Sequence, residues 1–439
     1  MKTFYQFVSD KFNDVIEYVV AQKDSLGILV DSTKDFTRNR KLSLPDIIKS
    51  IIFLSGKPIK EELYQYFHYD PDTASASAFV QQRAKIKPLA FELILNLLNK
   101  YFPCLKKYYG FNLLAIDGSD LAIPYDENDL DTFMPLKEGS KGCNLMHINA
   151  TYDILNHRYV DVVIKGRSHS AEPDALITMV ERLKDPSLIL ADRNFPSWRV
   201  MEHIIKAGHK FLIRCQDIDS PNGILKRFNL PHDEFDLDVK TTLTNVQNKE
   251  TKSNPEKYRF VSTSNSFEYL DENNHFYPVQ YRVVRFKIDG DEEYESIITN
   301  LDREQFPASK IKELYFLRWN EETSFRHLKY SANLSCVHCR KRESIKQEIW
   351  ARMVLYNLSM IMIEEAFQQS TDLKKKKYTY SLNITRCIHI IRDLSIEKAG
   401  IPPTLQKLLV KELLPIRPNR VNPRKVRPQG VVSFNYRFS

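Results

Sequence analysis

Glycine is the first shortage: 12 in 439 residues, too few to supply long flexible linkers. Cysteine is the second. Six in a chain this long do not make a disulfide framework. "CVHC" (Cys336 to Cys339) has the spacing of half a zinc site, but no second pair completes it, so reduced thiols are expected. No uninterrupted apolar run reaches the ~20 residues that a membrane-crossing helix needs. "MVLYNLSMIMIEEAF" stops at two glutamates, and the first twenty residues interrupt their apolar stretch with acids, unlike a secretory signal. Neither a Gly-rich phosphate loop nor a Ser-His-Asp arrangement is present. Acids are lacking after Glu412, where Arg417, Arg420, Arg424, Lys425, Arg427 and Arg437 run among prolines. A tail of one sign cannot build a core; it is either simply solvated or contacts phosphate. No membrane partner is expected, and the chain reads as cytoplasmic.

What is there divides by texture. Residues 1–105 read as short helices. "LSLPDIIKSIIFLSG" offers Ser43 as a cap, Pro45 in the first turn and Gly56 as a stop. Two readings fit this region: a helix-turn-helix-like DNA-binding domain with Gln81, Gln82, Arg83 and Lys85 facing DNA, or a plain helical bundle with a solvated polar face. From 106 to 215, strands alternate with helices. "FNLLAIDGSD" reads as a strand ending at Asp117 and Gly118, and "LMHINATYDIL" and "HRYVDVVIKG" as a hairpin joined at Asn156 and His157. "SLILAD" is a short strand ending at Asp192, with "AEPDALITMVERLKD" and "FPSWRVMEHIIKAG" as helices around it. The pattern indicates an α/β fold, a mixed sheet with helices packed on it. Residues 216–290 are polar and β-patterned and read as an insertion, with the last strand or two returning to the main sheet. Residues 291–370 hold a long helix from about Ser309 and a strongly apolar one. Residues 371–439 form a helical region with a lysine run (Lys374 to Lys377) and the basic tail.

The segment "YFLRWNEETSFRHLK" is where polar groups concentrate. At about 100° per residue, Tyr315, Arg318, Glu322 and Lys329 fall within roughly 60° of one another on the helix. Leu314, Leu317, Phe325 and Leu328 form an adjoining apolar face, and Glu321 points off the stripe. Surface ion pairs would explain such a stripe, and Asp at a strand end is also an ordinary turn former. Taken together, though, Asp117, Asp192 and Glu322 are three carboxylates on two strand ends and a helix. Such a set could hold two divalent cations about 3.5–4 Å apart for phosphoryl transfer. Hard oxygen ligands select Mg2+, with Mn2+ as a substitute. The formal net charge of +8 permits a polyanionic partner without requiring one.

"AIDGS", "LILADRNF" and Tyr315-x2-Arg318-x3-Glu322-x6-Lys329 resemble the DDE transposases of bacterial insertion sequences. The last spacing matches the YREK signature of the insertion sequence 4 family without a gap. The resemblance implies an RNase H-like core interrupted by a β-rich insertion, with Asp117, Asp192 and Glu322 as catalytic metal ligands. It implies Tyr315, Arg318 and Lys329 as phosphate-binding residues and double-stranded DNA as partner, both terminal inverted repeats and target. It also implies a homodimer in the synaptic complex, association with the nucleoid, and cut-and-paste transposition through a hairpin at the element's end. A base flipped during hairpin formation needs an aromatic acceptor. Trp319 is the nearest candidate. The insertion has no tryptophan, leaving Phe267, Tyr269, Phe276 or Tyr277 as substitutes. Arg193 beside Asp192 is a further candidate DNA contact, and Asn149, Asp153, His169 and Glu172 are lesser candidates near the site; a lone His147 reads as an ordinary core or surface group. A nuclease or resolvase that only hydrolyses, or a non-catalytic DNA-binding descendant, would share parts of this pattern. Joining of a precut 3′-OH end separates the transposase from the nuclease, and Mg2+-dependent cleavage separates it from the non-catalytic protein.

Overall fold

In the computed structural model the described residues are all except 1, 24–26, 28, 33, 39, 136–140, 170, 227, 263–266, 289–292, 369–379 and 416–439. The lysine run and the basic tail therefore lie outside them.

Among the described residues the chain opens with helices α1 (Phe4–Ala21), α2 (Leu44–Phe53), α3 (Ile59–Tyr66), α4 (Ala76–Arg83) and α5 (Leu89–Tyr101). Their starts follow side-chain chemistry. Thr3 and Gln6 form a capping box at α1, Ser43 caps α2 just before Pro45, and Ser75 caps α4. The helices do not stand apart from the rest. Val8, Ile48, Ile51, Phe91, Ile94 and Leu98 belong to one apolar cluster with Ile349, Met353 and Leu355 of a long later helix.

The strands are β1 (Asn112–Ile123), β2 (Phe133–Met134), β3 (Cys143–Asp153), β4 (Arg158–Gly166), β5 (Ser187–Ala191), β6 (Lys210–Cys215), β7 (Phe235–Thr244), β8 (Tyr258–Phe260), β9 (Phe276–Lys287) and β10 (Tyr294–Thr299). They form one ten-stranded sheet in the order β2-β3-β1-β5-β6-β10-β9-β7-β8, with β4 also pairing β3. β1, β3 and β4 are antiparallel neighbours, while β5 and β6 run parallel to β1. The β3–β4 hairpin turns at His157, whose φ is +50°. The polar stretch after β6 adds β7 to β10 to the same sheet: β9 pairs with β10 on one side and β7 on the other.

β1 shows how the sheet is sandwiched. Its side chains alternate in direction. Leu113 and Ala115 join the cluster shared with the N-terminal helices, and Leu114 and Ile116 join a second cluster with Leu176, Met179, Val200 and Ile204. Those last four come from α6 (Glu172–Arg182) and α7 (Trp198–Lys206) on the opposite face. After a short α8 (Lys249–Ser253) come α9 (Ala308–Leu317), α10 (Trp319–Arg326) and a π-helical turn (His327–Ser331). Next is α11 (Arg342–Gln368), buried on most of its circumference, as a helix apolar all round must be. α12 (Ile384–Ile396) and α13 (Leu405–Leu409) follow, with a small ribbon of β11 (Tyr380–Leu382) and β12 (Leu413–Pro415). Among the described residues no helix is long and apolar enough to cross a membrane.

Candidate active site

Asp117 and Asp192 sit on neighbouring strands. β5 ends at Ala191, which is level with Ile116 on β1, so the next residue on each strand is an aspartate. Asp117 is not a strand end, as the sequence reading had it. β1 runs on to Ile123 because β3, longer than β5, keeps pairing with it on the other side. "DGSD" reads as a turn but is a strand whose parallel neighbour has stopped. Backbone amides fix both carboxylates: Gly118 N donates to Asp117 Oδ1 at 2.8 Å and Arg193 N to Asp192 Oδ1 at 2.7 Å.

The segment from Ala308 lies over this strand edge. Its backbone stays helical through Arg318, between α9 and α10. Tyr315 and Arg318 are each 2% exposed and point inward. Tyr315 Oη is 3.5 Å from Asp192 Oδ1. Arg318 Nη2 donates to Glu322 Oε1 at 3.1 Å, and its Nη1 stands 3.5 Å from Asp117 Oδ2. One buried guanidinium therefore bridges the strand acid and the helix acid, with the tyrosine on the second strand acid. Burial raises the Asp117 pKa to about 6; Arg318 and the Gly118 amide oppose the rise, and the nearby charges of Asp192 and Glu322 add to it. Tyr315 is also pushed up, chiefly by burial.

Lys329 lies in the π-helical turn, and its Nζ donates to the Asp120 carbonyl of β1 at 2.7 Å. Burial lowers its pKa, which the nearby Asp120 charge opposes. Trp319 is 39% exposed, beside Arg318 at 5.2 Å from guanidinium carbon to ring centre. Arg193 is exposed next to Asp192.

Some expectations need correction. Arg83 does not face outward: it is wholly buried, with Nε on Gln347 Oε1 at 3.0 Å, Nη1 on Glu348 Oε1 at 3.0 Å and Nη2 on the Ser344 carbonyl at 2.8 Å. Its charge is spent joining α4 to α11. Lys85 pairs with Asp35 at 3.0 Å and keeps a partly exposed side chain. Asp153 orients no site group; its Oδ1 accepts from the amides of Leu155 and Asn156 and shapes the hairpin turn. Phe276 and Tyr277 are at the wrong end of β9. Arg282 of that strand is level with Thr299, which is level with Leu212, so Phe276 lies about 20 Å further from the acids along the strand. Phe267 and Tyr269 pack against Tyr277 and go with it. The His169 side chain is outside the described residues.

Other side chains stand close to these acids, Glu321 among them although its helix phase points it off the stripe. Glu321 is fully buried near Asp117, and burial, followed by the Asp117 charge, raises its pKa well above the carboxylate range. Glu295 on β10 pairs with Arg214 at 3.1 Å and stands near Asp192 and Arg318. Phe316, 46% exposed, lies one helical turn before Trp319. The outward position of Phe316 on the helix was readable; the burial of Glu321 depends on how far the sheet edge wraps around the helix.

All the site's acidic donors are oxygens, and their chemistry suits a hard divalent cation. Among the described residues no three His, Cys, Asp or Glu groups already converge as a metal cluster. The arginine bridge is what stands between Asp117 and Glu322.

Residues 109–358, from the edge of β1 to the middle of α11, match the family model described as "Transposase DDE domain". The chain belongs to that family. It is a transposase, a nuclease-type enzyme acting on DNA, of a class that uses divalent metal ions. No curated protein matches it. One similar solved structure is described as "Cryo-EM structure of piggyBac transposase synaptic complex with hairpin DNA". It is 11% identical, with a TM-score of 0.43 over 93% of this chain and 84% of that one.

Proposed function

We propose that this DDE transposase belongs to the insertion sequence 4 family, YREK group, and moves its element by cut and paste. The observation that carries the reading is the Arg318 bridge between Asp117 and Glu322, with Tyr315 on Asp192, inside the matched domain. The strand order β4-β3-β1-β5-β6, three antiparallel strands and then two parallel to β1, supports an RNase H-like core.

Asp117, Asp192 and Glu322 would hold Mg2+, or Mn2+ in its place, which supplies Lewis-acid stabilisation of charge on the phosphate oxygens when bound. Water attacks the phosphodiester at the element's end, leaving a 3′-OH on one side and a 5′-phosphate on the other. The 3′-OH then attacks the opposite strand to form a hairpin. Once the hairpin is reopened, it attacks target DNA, each attack exchanging one P–O bond for another. Arg318 neutralises phosphate oxygens with a planar fork and Lys329 as a point charge, while Tyr315 orients Asp192. Arg193 and Lys85 add contacts to the DNA backbone. Trp319 receives the flipped base: Trp319→Ala keeps the first nick but loses the hairpin, as read on a denaturing gel. Two copies synapse two inverted repeats on the nucleoid of a bacterial cytoplasm.

The test is Asp117→Asn. It abolishes cleavage of end DNA in Mg2+ while gel-shift binding of the same DNA stays near wild type. Unimpaired cleavage would sink the reading, and failure of the wild type to join a precut 3′-OH end would reduce it to a hydrolytic nuclease.

A further inference from the structure

Behind the three acids, on the other face of the sheet, lies a second set of charges for which the proposed chemistry has no use. His147 of β3 is level with Asp120 of β1. Its Nδ1 is 2.6 Å from Asp120 Oδ1 and its Nε2 is 3.2 Å from Glu172 Oε1 at the start of α6. Arg167 Nε stands 3.3 Å from the same Asp120 oxygen. The imidazole is 3% exposed. A ring with a carboxylate at each nitrogen can donate to both only as the imidazolium. Burial opposes charge on His147 and Asp120, and their mutual hydrogen bond, with help from Glu172 and Arg167, overrides it in both; the His147 pKa is raised and that of Asp120 lowered.

This clamp presses on the active-site strand. A Cβ added at Gly118 would lie 2.6 Å from His147 Nε2, 2.9 Å from its Cε1 and 3.1 Å from Glu172 Oε1. Gly118 is not among the positive-φ glycines, so close approach, not backbone conformation, is what the position demands. The Gly118 amide is also the group that donates to Asp117 Oδ1. Two residues on, the Asp120 carbonyl accepts from Lys329 on the helix side. The four residues from Asp117 to Asp120 are thus held on one face by Arg318 and Lys329 and on the other by His147.

We infer that His147, held between Asp120 and Glu172, is a positioning residue that sets the Gly118 backbone and, through its amide, the Asp117 carboxylate for cation binding. The inference rests on the reading of Asp117 as a metal ligand. A group that orients a metal ligand without touching the metal shifts metal affinity by about 10–100-fold when removed.

The experiment uses the full chain and Mn2+ as the probe, in wild type, His147→Gln, Glu172→Gln, Gly118→Ala and Asp117→Asn. Calorimetry reads Mn2+ binding directly, and end-DNA cleavage reads the half-saturating Mn2+ concentration. Tm and gel-shift affinity for end DNA are read alongside. His147→Gln raises both Mn2+ values roughly tenfold or more, with end-DNA binding within about twofold. Glu172→Gln, which keeps the Asp120–His147 pair, moves them less in the same direction. Gly118→Ala moves them as far as His147→Gln, and the double variant moves them no further than either single one, because both act through one contact. A lowered Tm with Mn2+ binding unchanged in His147→Gln and Gly118→Ala overturns the inference and leaves the ring a packing group. Should His147→Gln not fold, Glu172→Gln and Gly118→Ala decide alone by the same criterion. Asp117→Asn separates the two failures. If it loses Mn2+ binding while the clamp variants do not, the positioning role alone is wrong. If it retains Mn2+ binding, the metal reading and this inference fall together.

Discussion

Asp117 carries a cost that its function explains. Burial pushes its carboxyl up to about 6 from the ordinary 3.8, with the Gly118 amide and then the Arg318 guanidinium opposing the rise and the neighbouring acids adding to it. A carboxyl whose folded pKa is raised destabilises the fold wherever it must ionise, and the penalty vanishes below the unfolded pKa. Asp117→Asn should therefore be more stable than wild type in metal-free buffer at neutral pH, by something on the order of 2 kcal/mol. The difference should open as pH rises from about 4 through 6 and stay level above, as read by urea denaturation at a series of pH values. A variant that is dead and more stable is the expected signature of a site built for charge. Helix phase marked Glu322 in the sequence and the end of a short apolar strand marked Asp192, whereas the strand end read at Asp117 is the level at which β5 stops beside a continuing β1. The same phase argument moved Glu321 off the stripe without seeing that it is buried beside Asp117. Helical angle gives direction, and burial depends on what lies in that direction.

The helix over the site is less regular than its sequence suggests. A long helix from about Ser309 was expected; the backbone stays helical through Arg318, where α9 gives way to α10, and then widens into a π-helical turn at His327–Ser331. A π turn winds more slowly than an α turn, so residues within it depart from the 100° projection. That is why Lys329 reaches past Asp117 to the Asp120 carbonyl. Nothing in "FRHLKY" announces such a turn. As a phosphate ligand, Lys329 must exchange that carbonyl for DNA. Lys329→Met should weaken end-DNA binding across sequences and flatten the slope of log affinity against log salt by about one. An unchanged slope in a salt titration would leave Lys329 as a strand tie only. At the same scale, β1 was legible as a buried strand, but its continuation through Asp117 was not, because the pairing that extends it comes from β3.

At the scale of the whole molecule, the N-terminal helices and the sheet share one core through α11. The apolar faces of the short helices were readable, and so was the apolar character of α11. Their contact was not, since it joins residues more than 250 positions apart, as Arg83 and Glu348 are. That polar joint is buried on both sides. Glu348 Oε1 accepts from Arg83 at 3.0 Å, Oε2 accepts from the His338 amide at 3.0 Å, and Arg352 continues the chain of charges to the Ile52 carbonyl of α2 at 3.1 Å. Burial alone would raise the Glu348 pKa, but His338 and Arg83 hold it far below its ordinary 4.5. A depressed folded pKa contributes stability that is full above the unfolded pKa and is lost as pH falls through the folded one. Glu348→Gln leaves Arg83 buried without its counter-charge, a change worth about 3–5 kcal/mol. The Tm gap between wild type and Glu348→Gln should therefore be widest above about pH 4.5 and narrow steadily as the solution is acidified, because wild type then loses the same charge. Because the joint spans α4 and α11, the loss should be felt as a single cooperative transition, with the N-terminal helices and the sheet unfolding together. Two separated transitions in calorimetry, with only the smaller one shifted by the substitution, would instead make residues 1–105 an independent unit resting on the catalytic body.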